Sequence, residues 1–203
     1  MASGLAFFCV MRLTVIRHGR PEWRLPFMIS LARFERVSSG YDAVGLSVEG
    51  KRAIDTLAGR LPKALILSSD LPRARDTAEI IGRGKGAIGF DSIFREVPTS
   101  RIATNLLGRL WAPAAIWSLI KRCCWVLGIG ECPEKPCAAW NRAAKAVAEI
   151  LKHSGDESVI LVSHGCFIAV LVLYLRWCGL IDRGPLLPRV GYGAATEYWL
   201  RTG

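Results

Sequence analysis

Histidine is scarce in this chain, with only three among 203 residues. Signs of several protein classes are missing as well. The longest apolar run after His164, Cys166 to Leu175, is too short for a bilayer and is closed by Arg176, so it reads as a buried helix and no transmembrane segment is expected. The seven cysteines are odd in number and lack the close, even spacing of a disulfide scaffold. That pattern fits free thiols in a reducing compartment, and hence a cytoplasmic location. Cys123, Cys124, Cys132 and Cys137 show no paired two-residue gaps and no histidine beside them, so neither a metal nor a cofactor is expected. The basic turn Arg83 to Gly86 does not end in Lys-Ser or Lys-Thr, as a phosphate loop does. No RNA-binding signature or basic-aromatic interleaving accompanies the charge, so no specific nucleic-acid partner is expected. Met1 to Val10 is mildly apolar without a basic leader or a clear cleavage site, and Met11 is an alternative start.

What is present points elsewhere. A hydrophobic content of 51% over this length suits one folded domain spanning 1–203. A net charge of +10 favours anionic partners, and the arginine fork matches phosphate oxygens better than a point charge does. Two of the three histidines follow apolar β-type runs and precede a glycine: Leu13-Thr14-Val15-Ile16-Arg17-His18-Gly19 and Val159-Ile160-Leu161-Val162-Ser163-His164-Gly165. In an open α/β sheet, ligands bind at the carboxyl ends of the strands, so His18 and His164 can share one crevice. The third, His153, sits at a helix end, where the dipole accounts for it.

Strand-like and helix-like stretches alternate along the chain. Pro21 to Gly45 shows no sustained period and reads as a long loop with at most a helical turn; loops of that length are usually functional. Ser47 offers an N-cap to a helix closed by Pro62, and a short strand Ala64 to Leu67 follows. The run Ser68-Ser69-Asp70-Leu71-Pro72-Arg73 turns from strand to helix, with Ser69 or Asp70 as cap and Ala74, Thr77, Ala78 and Ile81 facing inward. Arg73 thus falls in a first helical turn, near the histidines. Ala87 to Phe90 is a further strand. Residues 99–133 change in composition and read as a helical cap insertion. Within it Ile116, Ile120, Cys123 and Leu127 keep helical spacing; burial against the sheet is the favoured reading, and an exposed membrane-surface face is the other. A helix from Pro136 carries Trp140, Ala144, Val147, Ile150 and Leu151 on one face. After the second histidine come a helix Cys166 to Cys178, a loop from Gly179 to Gly193 and a last strand, Ala194 to Leu200.

Five stretches in order, Arg17-His18-Gly19, Leu46-Ser47-Val48-Glu49-Gly50, Ser68 to Ala74 with Thr77-Ala78, Arg95-Glu96, and Ser163-His164-Gly165, resemble the signature of the histidine phosphatase (phosphoglycerate-mutase-like) superfamily. The resemblance implies an α/β fold, a three-layer sandwich in which helices flank a mostly parallel central sheet, with a helical insertion. It implies His18 as nucleophile, Arg17, Arg73 and His164 as holders of the phosphoryl group, and Glu96 as proton donor. The activity implied is a metal-independent phosphomonoesterase with a phosphohistidine intermediate, acting on a small phosphorylated metabolite or a phosphoprotein. A phosphoglycerate-type mutase and a non-catalytic basic module that binds polyanions are the alternatives.

Phosphoryl transfer needs these residue types. A neutral imidazole attacks a phosphate dianion without adding charge, and arginines bind the equatorial oxygens bidentately. His164 as a cation would add a donor, and a carboxylic acid supplies the proton that the leaving alkoxide needs. The chain departs from the family pattern at Arg20 and Arg24, where many members carry an acidic or amide residue and an asparagine, which shifts phosphate contacts toward arginine and makes Arg24 a further candidate. Val97-Pro98-Thr99-Ser100 lacks the glycine and aromatic that follow the acid in mutases, which leaves Glu22 as the alternative donor.

Overall fold

The structure, a computed structural model, describes residues 10–155 and 158–202, so the expectations for the amino terminus lie largely outside the described residues. The first apolar run forms β1 (Val10–Arg17). A short strand β2 (Met28–Ser30), helix α1 (Leu31–Ser38) and helix α2 (Val48–Ala58) follow. Next come β3 (Leu65–Ser69), α3 (Pro72–Gly82) and β4 (Ile88–Asp91). Residues 99–133 hold α4 (Thr104–Leu107), β5 (Trp111–Pro113) and α5 (Ala114–Leu127). The chain continues through α6 (Pro136–Leu151), β6 (Ser158–Ser163), α7 (Gly165–Trp177), β7 (Ile181–Arg183) and β8 (Ala195–Arg201).

The main sheet has the order β4-β3-β6-β1-β8-β7. Pairs β3–β4, β3–β6 and β1–β6 are parallel, and β8 runs antiparallel to β1. It is the mixed, mostly parallel sheet of an α/β sandwich. β6, buried along its whole length, enters between β1 and β3 although it comes last of the three in sequence. Such a crossing point sets three carboxyl strand ends side by side.

Strand alternation explains the two cores. Leu13, Val15, Val159 and Leu161 face one side, where α6 and α7 supply Ala143, Val147, Phe167 and Leu171. Ile16, Ile160 and Val162 face the other, against Ile54 of α2 and Ala74, Ala78 and Ile81 of α3. A third, smaller cluster joins Ile29, Leu31 and Phe34 to Trp117 of α5. Burying both faces of a parallel strand requires continuous apolar runs, which is why β1 and β6 were legible as such.

Several expectations need correction. Pro21 to Gly45 is not mainly loop: it contains β2 and the eight-residue α1, whose cap Ser30 accepts from Arg33 N. Its short helix buries only Leu31 and Phe34, too few apolar positions to show a period. The cap of α3 is Leu71, not Ser69 or Asp70, although the Ser69 hydroxyl accepts from Leu71 N. On α6 the buried stripe is Ala139, Ala143, Ala146, Val147 and Ile150; Trp140 is only partly buried and packs edge-on against Tyr174 and Trp177. The stripe Ile116, Ile120, Leu127 with Cys123 is exposed rather than buried, because α5 turns Trp117, Lys121 and Trp125 inward instead. The expected loop after Gly179 contains β7.

Candidate active site

His18 stands one residue past β1 and His164 one residue past β6. His18 N donates to Ser163 O at 2.9 Å, which locks the two strand ends in register. Both imidazoles are buried, and their ring centroids are 5.0 Å apart. Arg17 is the last residue of β1, and Arg73 enters from the first turn of α3, behind the end of β3. The arrangement unites the four residues that the two β-runs and the Ser-Ser-Asp stretch brought forward.

Each motif residue has a physical task. The Thr77 hydroxyl accepts from Gly19 N at 3.0 Å and donates to Arg73 O at 2.7 Å, so one side chain ties the loop after His18 to the turn that carries Arg73. Gly50 lets α2 pass against the backbone of Arg20; an added Cβ would lie 2.2 Å from Arg20 O. The Ser69 hydroxyl sits 2.9 Å from His164 Nε2. Asp70 accepts two bonds from Arg95, each of 2.6 Å, and Ser163 donates to Phe94 O at 2.7 Å. Arg142 donates to the carbonyls of Ile93 and Arg95 while pairing with Glu134, so the backbone leading to Glu96 is held from three directions.

Electrostatics then fix protonation. Burial, followed by the charges of Arg73 and Arg17, lowers the His18 imidazole to about 3, against an opposing bond to Gly19 O. His18 Nδ1 lies 2.8 Å from that carbonyl, which can only accept. Nδ1 therefore carries the proton and Nε2 the free lone pair, the form in which imidazole is a nucleophile. His164 is also held well below its ordinary value, by burial first and then by His18, Arg73 and Arg17. This corrects the expectation of a cationic His164: two buried imidazoles beside two guanidiniums cannot hold a further positive charge in the free protein.

Arg73 donates to Tyr41 O at 2.9 Å and to Asp42 Oδ1 at 3.0 Å, with the Tyr41 ring 4.3 Å from its Cζ. Arg17 donates to Val190 O and lies 4.1 Å from the Tyr192 ring centroid. The Tyr192 ring centroid is 5.5 Å from that of His18, so Tyr192 stands beside His18 while Tyr41 covers Arg73. Burial and the neighbouring Tyr192 push the Tyr41 phenol up. Despite these contacts, Arg17 Nε, Arg73 Nε and His164 Nδ1 are buried without a hydrogen-bond partner among the described residues. Three unsatisfied nitrogens on the three residues around His18 form a set suited to an anion.

A cavity of about 620 Å³ meets this group at Arg17, with His18, Arg73 and His164 lying behind its wall, and is lined besides by Tyr41, Asp42 and Tyr192, by Trp23 and Leu25, and by Ser118, Lys121 and Arg122 of α5. Glu96 is on its wall. Its Oε1 accepts from Val97 N at 3.0 Å and Phe167 N at 3.1 Å, and Oε2 lies 3.8 Å from Arg122. The structure does not bring Arg24 or Glu22 to the cavity: both are exposed and neither lines it, and Arg24 acts electrostatically on Glu49 instead. Sequence reasoning missed Tyr41, Asp42, Tyr192 and Arg122. Their only signal was membership in the long loop, the Pro/Gly-rich tail and the insertion, without any spacing to mark them.

Among curated proteins, none matches the chain. Solved structures do. A mycobacterial glucosyl-3-phosphoglycerate phosphatase is similar with 23% identity and a TM-score of 0.62, covering 94% of this chain and 90% of that one. A phosphoserine phosphatase mutant of Entamoeba histolytica, solved in complex with phosphoserine, is similar with 19% identity and a TM-score of 0.60, covering 95% of each chain. A structure described as mycobacterial hydrolase 1 has 25% identity and a TM-score of 0.59, over 93% of this chain and 90% of that one. The sequence profile of the histidine phosphatase superfamily (branch 1) matches residues 13–182, which include His18, Arg73, Glu96 and His164. The chain belongs to the histidine phosphatase superfamily.

Proposed function

We propose that this protein is a metal-independent phosphomonoesterase that works through a phosphohistidine on His18, with a phosphorylated metabolite or a phosphoprotein as substrate. The observation that carries the proposal is the neutral His18 imidazole, with its lone pair on Nε2, set among Arg17, Arg73 and His164 with their unpartnered buried nitrogens. The phosphoryl group exchanges with Asp42 for the Arg73 guanidinium, one anion for another. Nε2 attacks phosphorus, the bond to the leaving oxygen breaks, and Glu96 gives that oxygen a proton. In the second half, Glu96 takes a proton from water, the water oxygen attacks phosphorus, and the P–N electron pair returns to Nε2. Arginine donors stabilise the equatorial oxygens throughout.

A panel of phosphomonoesters, with phosphate release followed for wild type and His18→Ala, tests the proposal. Wild-type turnover absent from the variant is the expected result; turnover that survives in a folded His18→Ala protein would contradict it. Including 3-phosphoglycerate separates hydrolysis, which liberates phosphate, from mutase chemistry, which yields 2-phosphoglycerate.

A further inference from the structure

Helix α5 is inside out. Its inner face carries Trp117, Lys121 and Trp125: Trp117 Nε1 donates to Ile29 O at 2.9 Å, Trp125 Nε1 to Glu134 O at 2.7 Å, and Lys121 pairs with Glu35 at 2.8 Å. Its outer face is aliphatic. Ile116, Leu119, Ile120, Val126 and Leu127 are all exposed, Leu119 at 58%, Val126 at 66% and Leu127 at 69%. At 100° per residue these positions fall within an arc of roughly 120°, the width of a face made for burial. The apolar surface extends past both ends of the helix. Ile129 follows it, and at the start Ala114 N donates to Phe27 O while Met28 pairs with Pro113, which sets the exposed Phe27 and Met28 beside the first turn and the exposed Trp111 just before it. Single exposed aliphatics need no explanation, but a contiguous set of this kind does.

Charge selects the partner. From Arg101 to Gly130 the sequence contains no aspartate or glutamate, and with Lys121 turned inward on Glu35 its accessible cations are Arg101, Arg109 and Arg122, in a chain of net charge +10. A second copy pressed face to face would bring Arg109 and Arg122 to like charges, with Glu131, bridged to Arg101, as the next carboxylate along the chain. An apolar face with a basic, aromatic-containing margin instead matches an anionic lipid surface, where the side chains enter the acyl boundary and the arginines meet headgroups. A depression of about 320 Å³ on this side, lined by Cys123, Val126 and Leu127 with Arg122, has the same pairing of apolar wall and cation.

We propose that the outer face of α5, with Phe27, Met28 and Trp111, docks on an anionic lipid bilayer. The helix lies in the plane of the interface rather than across it, in agreement with the absence, among the described residues, of any helix long and apolar enough to span. Ala115, Ser118 and Leu119 of the same helix line the cavity next to Arg17, so docking sets the cavity mouth at the lipid–water boundary. The docking stands on the surface alone and does not depend on the phosphatase reading.

Co-sedimentation of the purified chain with vesicles tests it, using phosphatidylcholine alone and an equimolar mixture with phosphatidylglycerol. Wild type is expected to pellet with the mixed vesicles, less with phosphatidylcholine, and less again as salt screens the basic margin. The double variant Val126→Asp/Leu127→Asp, which changes two exposed side chains away from the cavity beside His18, should bind the mixed vesicles at least ten-fold more weakly, to order of magnitude, while its circular dichroism and phosphatase turnover stay unchanged. Wild type that remains in the supernatant with both vesicles overturns the proposal, as does a double variant that pellets like wild type. A wild-type dimer that the double variant dissociates, without vesicle binding, would assign the face to a second copy and equally overturn it.

Discussion

The rim of the main sheet and the outer layer built on β2, β5 and α5 break the polar-out, apolar-in rule in opposite directions. At the rim, His18, His164, Arg73, Ser69 and Thr77 are buried, and bonds to the backbone or to one another hold most of them. On α5 the aliphatic residues face outward and a lysine faces inward. Buried polar groups are costly unless they are hydrogen-bonded, and large exposed apolar patches are rare unless something covers them. On the two proposals made above, the exceptions serve two different tasks: chemistry at the rim, and docking at the outer layer. On that division, rim substitutions change rate, and outer-layer substitutions change stability or docking and leave the rate unaltered.

The largest expected effect tests the rim. His18→Ala should lower kcat by roughly three to six powers of ten while leaving a cooperative thermal transition, because a lost nucleophile is a lost pathway. Next, Glu96→Gln should slow the first half-reaction, read as the single-turnover release of the leaving group, by roughly two to four powers of ten for ordinary alkyl phosphates and much less for p-nitrophenyl phosphate, since that leaving group hardly needs a proton. Equal slowing of both substrates would place the acid elsewhere.

Stability separates the regions further. His18 is neutral when folded down to about 3 but takes a proton near 6.5 when unfolded, so between these values the unfolded chain binds the extra proton and stability falls as pH falls. From pH 6.5 to 5 that single group accounts for about 2 kcal/mol, and denaturant titrations of His18→Ala should show a correspondingly flatter acid slope. An unchanged slope would mean that the ring is not buried as described. In the outer layer, Glu35→Gln leaves Lys121 without its carboxylate and should cost about 1–3 kcal/mol of stability by the same titrations, with kcat for p-nitrophenyl phosphate unaltered. The smallest effect is expected at Asp42, whose exposed carboxylate competes for Arg73. Asp42→Asn should lower KM for phosphomonoesters by roughly two- to five-fold, as befits a solvent-screened pair.

Legibility in the sequence follows the same division. β1 and β6 could be read because both faces are buried and the runs are continuously apolar, and His18 and His164 followed from their place at the strand ends. Arg73 was legible from Pro72 and the inward stripe of α3. Asp42 was not, since its contact with Arg73 spans 31 positions and leaves no local period. α5 departs from the favoured reading for a physical reason: periodicity reports that an apolar face exists but not which way it points, and here two satisfied indoles and an ion pair hold the inner side. Arg24 was advanced by its place in a motif, yet its side chain is exposed, as one turn of backbone decides and spacing alone does not.

Trapping the intermediate bears most directly on the central claim. Glu96→Gln mixed with a labelled phosphomonoester of good leaving group should form the adduct and then lack the base that hydrolyses it. The account predicts label on the protein that survives alkali, is released by acid, and is absent from the His18→Ala/Glu96→Gln double variant. Label that withstands acid, or that persists when His18 is gone, would contradict it by assigning the nucleophile to another residue.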